Sequence, residues 1–440
     1  MQYRYRAIYD AYQQYCAGLT SQDVKPFLLA LERDGGKIKH FRFPFDPSRR
    51  EEATFLLERV AKTMLWAYGG FRFYVHGDGE AARRLAEIYS EYGARAFDRA
   101  FMENVYRKPF EIIVCRTADE VPAESDAGTP VSAKSEGYRI GFDAGGSDRK
   151  VTACIDGKPV FEKEVVWHPK LNADPAYHRA GIRDSIDMAL QALGGRVDAI
   201  GVSSAGIIVD DEVRVASLFI KVPQEIYAEQ VFPIYKDLAK TYHCPVKVAN
   251  DGDVAALAGA FDLGQGAVMG IAMGTSLAGG YIAPDRTIKG YLNELAFAPV
   301  DAGAGAPVDD WSGDAGVGVC YHSQDGVNRL AAERGIDFGT ASTPAEKLKV
   351  VQALADNGDP VAEKIFCDLG HCFGKTLLWF GMFYDIEKAV FLGRVASGRG
   401  GELLLEAAQN VLGQARSKIE IVLPDEMSRR LGQSYTATLL

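Results

Sequence analysis

The residues best suited to chemistry in this chain begin with a short turn, Asp143-Ala144-Gly145-Gly146-Ser147. Its two glycines lack a Cβ, so their backbone N–H groups can approach phosphate oxygens closely, and the serine adds a hydroxyl. The carboxylate of Asp143 can hold a hydrated Mg²⁺ ion, because hard cations prefer oxygen ligands. The turn therefore predicts a site for a polyphosphate with magnesium, although an ordinary hairpin turn has a similar composition.

A second turn with the same character, Gly274-Thr275-Ser276, lies between two apolar segments. It offers unhindered N–H groups and two hydroxyls, so it predicts a second set of phosphate contacts. An ordinary hairpin turn is again the alternative, and neither turn is specific by itself.

An amide and a carboxylate, Asn250 and Asp251, lie between the two turns in the sequence. They follow the apolar segment 246–249 and precede a helical pattern over 253–263. Ligands of α/β proteins bind at such positions, where a strand ends and a helix begins. Asp251 is therefore a candidate general base, which would accept the proton of a substrate hydroxyl as its oxygen attacks a γ-phosphate. For Asp253 we expect the N-cap of the helix instead.

Strands and helices must position these three segments. The apolar patterns predict strands over 138–142, 151–155, 158–166, 199–202, 246–249, 268–273, 278–282 and 389–392. Helical spacing predicts helices over 177–193, 253–263 and 360–383. A hairpin with a glycine turn thus occurs once in each half, which predicts two related lobes facing one cleft.

The first 116 residues predict a separate small α/β unit. Strands are predicted over 36–45, 71–76 and 110–115, with helices over 3–19, over 49–68 and after residue 79. The loop Gly77-Asp78-Gly79 lacks a P-loop lysine, so Asp78 is predicted to cap the following helix rather than to hold a phosphate. Residues 117–137 are polar and contain Pro, Gly and Ser, which predicts a linker.

The composition excludes several classes of protein. Hydrophobic residues make up 47% of the 440 residues, which is enough for a core that needs no metal or disulfide. A net charge of −10 argues against binding to nucleic acid or to an anionic membrane, and no apolar run approaches a membrane span. The N-terminus has no secretory signal pattern. Seven scattered cysteines without CxxC spacing predict a reducing, cytoplasmic setting without a cysteine metal site.

The order of the segments carries a resemblance to a known family. The chain resembles the actin/hexokinase/heat-shock ATPase superfamily in the order of four segments. These are strand-DxGGS-strand, strand-ND-helix, strand-GTS-strand and helix-strand-LG. Within it, the chain is most similar to the ROK family of repressors, open reading frames and sugar kinases. The matching segments are YRIGFDAGGSDRKVTACI, VKVANDGDVAALAGAF, GIAMGTSLAGGYI, NELAFAPV and AVFLGRVASGRGGELL.

The resemblance implies a fold class and an order of domains. The expected fold is α/β, a two-lobed actin/hexokinase-like (ribonuclease H-like) ATPase domain with an extra small α/β domain at the N-terminus. Residues 1–116 would form that N-terminal domain, whose role the resemblance does not cover, and 117–137 a linker. Residues 138–250 would form the first ATPase lobe and 251–440 the second.

The resemblance also implies roles for individual residues. Asp251 would be the catalytic base, and Asn250, Glu294 and Phe297 occupy substrate-binding positions. The implied cofactors are ATP and Mg²⁺, with Asp143 holding the metal through water and Gly393 lining the adenosine pocket. The implied cofactor-binding residues are Asp143, Gly145, Gly146, Ser147, Gly274, Thr275, Ser276 and Gly393.

Several positions depart from the family pattern. Phe297 stands where the family has a histidine, Val319 stands where it has a second sugar-binding glutamate, and Arg394 replaces a glycine of the adenosine turn. Residues 301–319, where the family has its zinc loop, contain no cysteine, so we expect no structural zinc. The phosphate half is better preserved than the sugar half, and unmodified glucose is therefore expected to be a poor substrate.

The predicted function is that of an ATP-dependent phosphotransferase, a carbohydrate kinase that phosphorylates a hydroxyl of a sugar or sugar-like small molecule. Two alternatives stay open at this point. One is a catalytically weak or inactive regulatory protein that binds sugar or nucleotide, and the other is an ATP hydrolase. The expected partner is a small molecule rather than nucleic acid or a membrane, and a homodimer is left open.

Overall fold

The computed structural model describes residues 5–19, 23–131, 136–423 and 426–440. The helix predicted over 3–19 and the linker predicted over 117–137 lie partly outside these ranges. The helices are α1 (Ile8–Ala17), α2 (Arg50–Tyr68), α3 (Gly79–Ile88), α4 (Ala96–Tyr106), α5 (Pro175–Ala192), α6 (Gln224–Gln230), α7 (Leu238–Tyr242), α8 (Asp251–Leu263), α9 (Gln324–Glu333), α10 (Pro344–Asp356), α11 (Pro360–Phe380), α12 (Gly398–Gln414) and α13 (Glu426–Ala437).

The strands form mixed sheets rather than one continuous sheet. They are β1 (Lys25–Glu32), β2 (Ile38–Phe45), β3 (Arg72–His76), β4 (Glu111–Val114), β5 (Thr129–Pro130), β6 (Tyr138–Ala144), β7 (Asp148–Ile155), β8 (Lys158–Val166), β9 (Ala199–Ser204), β10 (Ile207–Val209), β11 (Glu212–Val215), β12 (Val246–Asn250), β13 (Val268–Met273), β14 (Leu277–Ile282), β15 (Thr287–Ile288), β16 (Lys388–Leu392) and β17 (Glu420–Val422). Both glycine hairpins predicted from the sequence are confirmed, as β6–β7 and β13–β14.

The chain forms two compact units. The first unit comprises Met1–Ala127, Ile271–Gly279 and Tyr291–Leu423, and the second comprises Gly128–Gly270, Gly280–Gly290 and Pro424–Leu440. The first unit thus contains the predicted N-terminal domain and most of the predicted second lobe. The domain boundaries expected from the sequence stay predictions.

The second unit is built on a five-stranded sheet with the order β12-β9-β6-β7-β8. Strands β6, β9 and β12 are parallel, whereas β7 and β8 extend β6 as an antiparallel meander. Ile140 and Phe142 of β6 belong to a core that also contains Ile182 and Ile186 of α5. Because side chains alternate between the two faces of a strand, α5 covers the face to which Ile140 and Phe142 point.

The opposite face of this sheet carries α13, whose backbone lies very close to the strands. A Cβ atom added to Gly141 would lie 1.8 Å from the carbonyl oxygen of Ser434, and one added to Gly201 would lie 1.7 Å from that of Ala437. Only glycine allows a helix backbone to approach a strand this closely. Asp143 and Ser203 lie two residues further along the same strands, and so on the α13 side.

Two further sheets have four strands each. Residues near the N-terminus form the sheet β2-β1-β3-β4, in which β3 and β4 are parallel and the other pairs antiparallel. The second sheet has the order β14-β13-β16-β17, and α11 and α12 pack against each other beside it. Across the part of the chain that the structure describes, no helix is long and apolar enough to cross a membrane.

Candidate functional site

Three strand ends of the second unit bring the predicted polar residues to one edge of the sheet. In the register of these strands, Asp143 lies opposite Ser203, and Ser203 lies opposite Ala249. Neighbouring strands are about 4.8 Å apart, so Asp143 and the start of α8 are separated by about two strand spacings. The carboxyl edge of a parallel sheet is where α/β proteins bind their ligands.

Asp143 is a carboxylate in an environment that disfavours its charge. Burial raises the pKa of Asp143 to about 6, and the Asp251 carboxylate adds to the rise. The Ser203 hydroxyl and the Lys150 ammonium oppose this effect. Two nearby, half-buried acidic groups would be stabilised by a cation, so the residues present fit the predicted Mg²⁺.

Asp251 is the first residue of α8 and combines burial with local hydrogen bonds. Burial raises the pKa of its carboxyl group, and the N–H groups of Gly252 and of Asp251 itself oppose the rise. The Gly252 N–H lies 3.0 Å from Oδ1 of Asp251. A carboxylate with a raised pKa binds a proton more readily than an exposed one, which suits a general base.

The neighbours of Asp251 hold the turn in place. Asn250 caps α8, because its side-chain oxygen accepts the Gly252 N–H at 2.7 Å while its Nδ2 donates to the carbonyl of Gly206 at 2.7 Å. The expectation that Asp253 is the N-cap is wrong, since its Oδ1 instead accepts the backbone N–H of Tyr281 at 3.0 Å. The role of Asn250 in binding substrate stays a prediction.

The first glycine turn is fixed from outside by Trp167. Its indole N–H donates to the carbonyl of Gly145 at 2.8 Å, and its backbone N–H donates to Ser147 at 3.1 Å. A Cβ atom added to Gly146 would lie 3.4 Å from Nζ of Lys170. The turn therefore has a cation beside its exposed backbone, which suits an anionic phosphate group.

The second glycine turn lies in the first unit, next to the start of α9. The N–H of Gln324, the first residue of α9, donates to the carbonyl of Gly274 at 2.8 Å. A Cβ atom added to Gly274 would have no neighbour within 4 Å, so the backbone is open to a ligand there. Thr275 and Ser276 are exposed. Helix N-termini and unhindered N–H groups both favour phosphate.

Gly393 lies directly against this second turn. Its φ angle is 99°, and a Cβ atom at this position would lie 2.2 Å from the carbonyl oxygen of Met273. A side chain is excluded by both the backbone conformation and the close approach. Two of the predicted cofactor segments, around Gly274 and Gly393, are thus adjacent within one unit.

Glu294 and Phe297 lie in a segment that is fastened to α2. The N–H groups of residues 292–294 donate to the carbonyls of residues 68, 67 and 66, at 2.9–3.2 Å. The last carbonyls of a helix have no partner within the helix, so this segment caps the C-terminus of α2. The predicted substrate segment is therefore held by the N-terminal part of the chain, a contact that no pattern in the sequence predicts.

A buried ionic cluster holds the loop 301–319, where the family pattern has zinc. The Asp314 carboxylate lies 2.7 Å from Arg95, 2.9 Å from Lys62 and 3.2 Å from Arg59. Although burial opposes it, Arg59 and Lys62 lower the pKa of Asp314. The three cations come from the N-terminal part of the chain, which thus anchors this loop through ion pairs. We call these four residues the Asp314 cluster.

Metal binding by other residues has no support among the residues described here. Within those ranges, no three His, Cys, Asp or Glu side chains are grouped so that they could hold a metal ion. His322 is fully buried, and burial lowers the pKa of its imidazole to about 3. Its Nε2 lies 2.8 Å from the Thr376 hydroxyl. The absence of structural zinc stays a prediction.

The sequence model of the ROK family matches residues 139–426. No curated protein matches the sequence.

Solved structures show the same fold. The ROK hexokinase from Thermus thermophilus is 22% identical, with a TM-score of 0.53 over 69% of this chain and 98% of that one. A ROK family transcriptional regulator, a homolog of E. coli MLC, is 16% identical, with a TM-score of 0.52 over 72% and 79%. A ROK family protein from Streptococcus pneumoniae TIGR4 in complex with sucrose is 13% identical, with a TM-score of 0.50 over 69% and 96%.

The fold that these structures share is the two-lobed hexokinase type. The family model covers well over half of this sequence. The chain therefore belongs to the ROK family.

Proposed function

We propose that this protein is an ATP- and Mg²⁺-dependent kinase that transfers a phosphoryl group to a hydroxyl of a sugar-like small molecule. The observation that carries the proposal is Asp251, a half-buried carboxylate with a raised pKa at the start of α8, close enough to Asp143 to affect its charge. ATP would supply the γ-phosphoryl group, and Mg²⁺ would offset the charge of its phosphates.

Each candidate residue would have a separate role in the reaction. Asp251 would accept the proton of the acceptor hydroxyl as the new O–P bond forms and the bond to ADP breaks. Asp143 would hold the hydrated Mg²⁺, and the glycine turns at 145–147 and 274–276 would bind phosphate through backbone N–H groups and hydroxyls. Because phosphoryl transfer depends mainly on positioning and charge, these contacts would carry most of the rate enhancement.

Glu294 would orient the acceptor by accepting hydrogen bonds from its hydroxyls. Phe297 occupies the place where the family pattern has a histidine, and it packs against aromatic side chains, with Trp66 at 4.8 Å and Trp311 at 4.7 Å between ring centroids. A polyhydroxylated ring would therefore find fewer hydrogen-bond partners on this side. We infer an acceptor that is less polar there than unmodified glucose.

The experiment that tests the proposal is a screen for acceptor-dependent ADP release over sugars, amino sugars, polyols and nucleosides, with Asp251→Asn. Loss of a general base lowers kcat by about 10²–10⁴-fold, whereas ATP binding should be nearly unchanged. Asp262→Asn, on the exposed side of the same helix, is the matched control and should leave kcat unaltered. An Asp251→Asn variant with normal kcat would refute the proposal.

A second candidate is a regulator that binds a sugar without turning it over. The similarity to a ROK family transcriptional regulator favours it, together with the commitment of both polar groups of the Asn250 amide to the backbone. The same screen distinguishes the candidates. A regulator would bind sugar without releasing ADP, and an ATP hydrolase would release ADP without an acceptor.

We place the reaction in the cytoplasm, where the seven free cysteines would stay reduced. The partner is proposed to be a small molecule rather than nucleic acid or a membrane, since the net charge of −10 opposes binding to polyanions.

A further inference from the structure

Five aromatic side chains form a continuous surface beside the segment that carries Glu294. Phe297 ends the 3₁₀ turn that Glu294 precedes, and its backbone N–H donates to the carbonyl of Glu294 at 3.2 Å. We call this surface the aromatic wall. Its members are Trp66, Phe97, Phe101, Phe297 and Trp311.

The aromatic wall is layered from the core to the solvent. Trp66 is fully buried, and its indole N–H donates to the Asp98 carboxylate. Phe297 packs on Trp66 and on Trp311. Trp311 makes edge-to-face contacts with Phe97 at 4.8 Å and Phe101 at 5.5 Å, and it is 54% exposed. The outermost ring, that of Trp311, thus packs on other aromatic rings on one side and is open to solvent on the other.

Trp311 is held at the tip of a closed turn. The Asp309 carboxylate accepts hydrogen bonds from the backbone N–H and the hydroxyl of Ser312, at 2.7 and 2.6 Å. The N–H of Asp309 donates to the carbonyl of Asp314 at 2.9 Å, and Asp314 is anchored by the buried Asp314 cluster. A large aromatic ring fixed in water is typical of a binding surface rather than of a core.

We propose that the aromatic wall is an acceptor-specificity site, and that it takes the apolar ring of an aryl glycoside whose sugar is bound at Glu294. The inference rests on the proposed function, because Glu294 is its sugar-binding residue. Small-molecule sites combine aromatic surfaces with a few polar groups in this manner. The N-terminal part of the chain therefore takes part in substrate selection, since it supplies Trp66, Phe97 and Phe101.

A single apolar ring fits the exposed area better than a protein partner does. Trp311 is the exposed member of the wall, whereas the other four rings are buried or half-buried. A stable protein interface covers about 800 Å² on each partner, which is far more than one indole offers. The wall is also continuous with the Glu294 segment through Phe297, which places the substituent next to the sugar.

The test is a calorimetric titration, without ATP, of paired methyl and phenyl glycosides of glucose, mannose and galactose. The phenyl member of a pair should bind the wild-type protein more tightly, and Trp311→Ala should weaken its binding by about 2- to 12-fold, the range for one aromatic contact. Binding of the methyl member should not change. Trp311→Phe should restore part of the preference, and Val308→Ala, an exposed apolar residue of the same loop, is the matched control.

Several outcomes would overturn the proposal. One is equal affinity of the wild-type protein for the methyl and the phenyl glycoside of a sugar, and another is no binding of any glycoside. A third is a loss of affinity in Trp311→Ala that is the same for the methyl and the phenyl glycoside. A Trp311-dependent dimer without glycoside preference would assign the wall to a contact between copies of this chain. ADP release is measured separately. A phenyl preference without ADP release would remove the kinase proposal only, whereas ADP release without the preference would remove the aromatic wall only.

Discussion

Lys62→Met is the substitution that tests most directly how the N-terminal part of the chain holds the loop 301–319. Lys62 is fully buried, and its Nζ lies 2.7 Å from Oδ1 of Asp98 and 2.9 Å from Oδ2 of Asp314. Methionine keeps most of the volume and removes the charge. In the variant, Asp98 would still accept the hydrogen bond from the indole N–H of Trp66, and Asp314 would still form ion pairs with Arg59 and Arg95.

The size of the effect follows from the burial of these groups. Removing one partner of a buried ion pair lowers the free energy of unfolding by about 3–5 kcal/mol, because the remaining charge has lost its partner in a medium of low dielectric constant. Since a protein unfolds with a free energy of about 5–15 kcal/mol, such a loss is a large fraction of the total. The corresponding shift in Tm is roughly 3–5 °C, taking about 1 °C for each kcal/mol, because the entropy of unfolding of a chain of 440 residues is about 0.9 kcal/mol/K.

The assay is thermal and urea unfolding followed by tryptophan fluorescence. Lys418→Met is the matched control, because Lys418 pairs with Asp385 at the surface, where both side chains are more than half exposed. Exposed pairs contribute about 0–1 kcal/mol. The double variant Lys62→Met/Asp98→Asn should recover part of the loss, because asparagine carries no unpaired charge and still accepts from Trp66. Equal Tm values for Lys62→Met and Lys418→Met would refute the reasoning.

Three further predictions concern residues that are proposed to bind the nucleotide and Mg²⁺. Gly393→Ala should abolish nucleotide binding in a filter assay, because a Cβ atom would lie 2.2 Å from the Met273 carbonyl in a left-handed backbone conformation. Because the pKa of Asp143 is raised from 3.8 to about 6, its contribution to the free energy of unfolding is present below about pH 4 and lost as the pH rises through 6. Mg²⁺ needs the ionised carboxylate, so calorimetry should show affinity rising about tenfold per pH unit up to about pH 6, and Asp143→Asn should remove this dependence. Lys170→Gln should weaken nucleotide binding several-fold in low salt and less in high salt, and an unchanged affinity at low salt would contradict the phosphate contact.

The strands that carry the candidate site residues could be predicted from the sequence because local patterns determine them. The DAGGS turn and the GTS turn lie in hairpins as predicted, and Asp251 begins a helix after a strand. Asp78 caps α3, as its loop predicted. In each case the signal is a short run of residues whose own chemistry, glycine at a turn or a carboxylate at a helix start, favours one local structure.

Other elements had no such signal. Strand β1 lies between two partners in its sheet and reads as a nearly continuous apolar run, FLLAL, in which the alternation of an exposed strand is lost. Helix α4 was missed as well, although its buried residues Met102 and Val105 have helical spacing. Ser203 and Lys170 are ordinary polar residues in the sequence, and only the register of β6 with β9 and the approach of Lys170 to Gly146 bring them to the site.

By itself, the sequence determined the family, the two glycine hairpins and the position of the candidate base, because each depends on residues that are adjacent in the chain. The ion pairs that hold the loop 301–319 and the aromatic rings around Phe297 depend instead on the tertiary structure. The Asp314 cluster joins residues 255 positions apart, from Arg59 to Asp314. Ion pairs and ring contacts over such separations depend on how the elements pack, and no local pattern in the sequence encodes them.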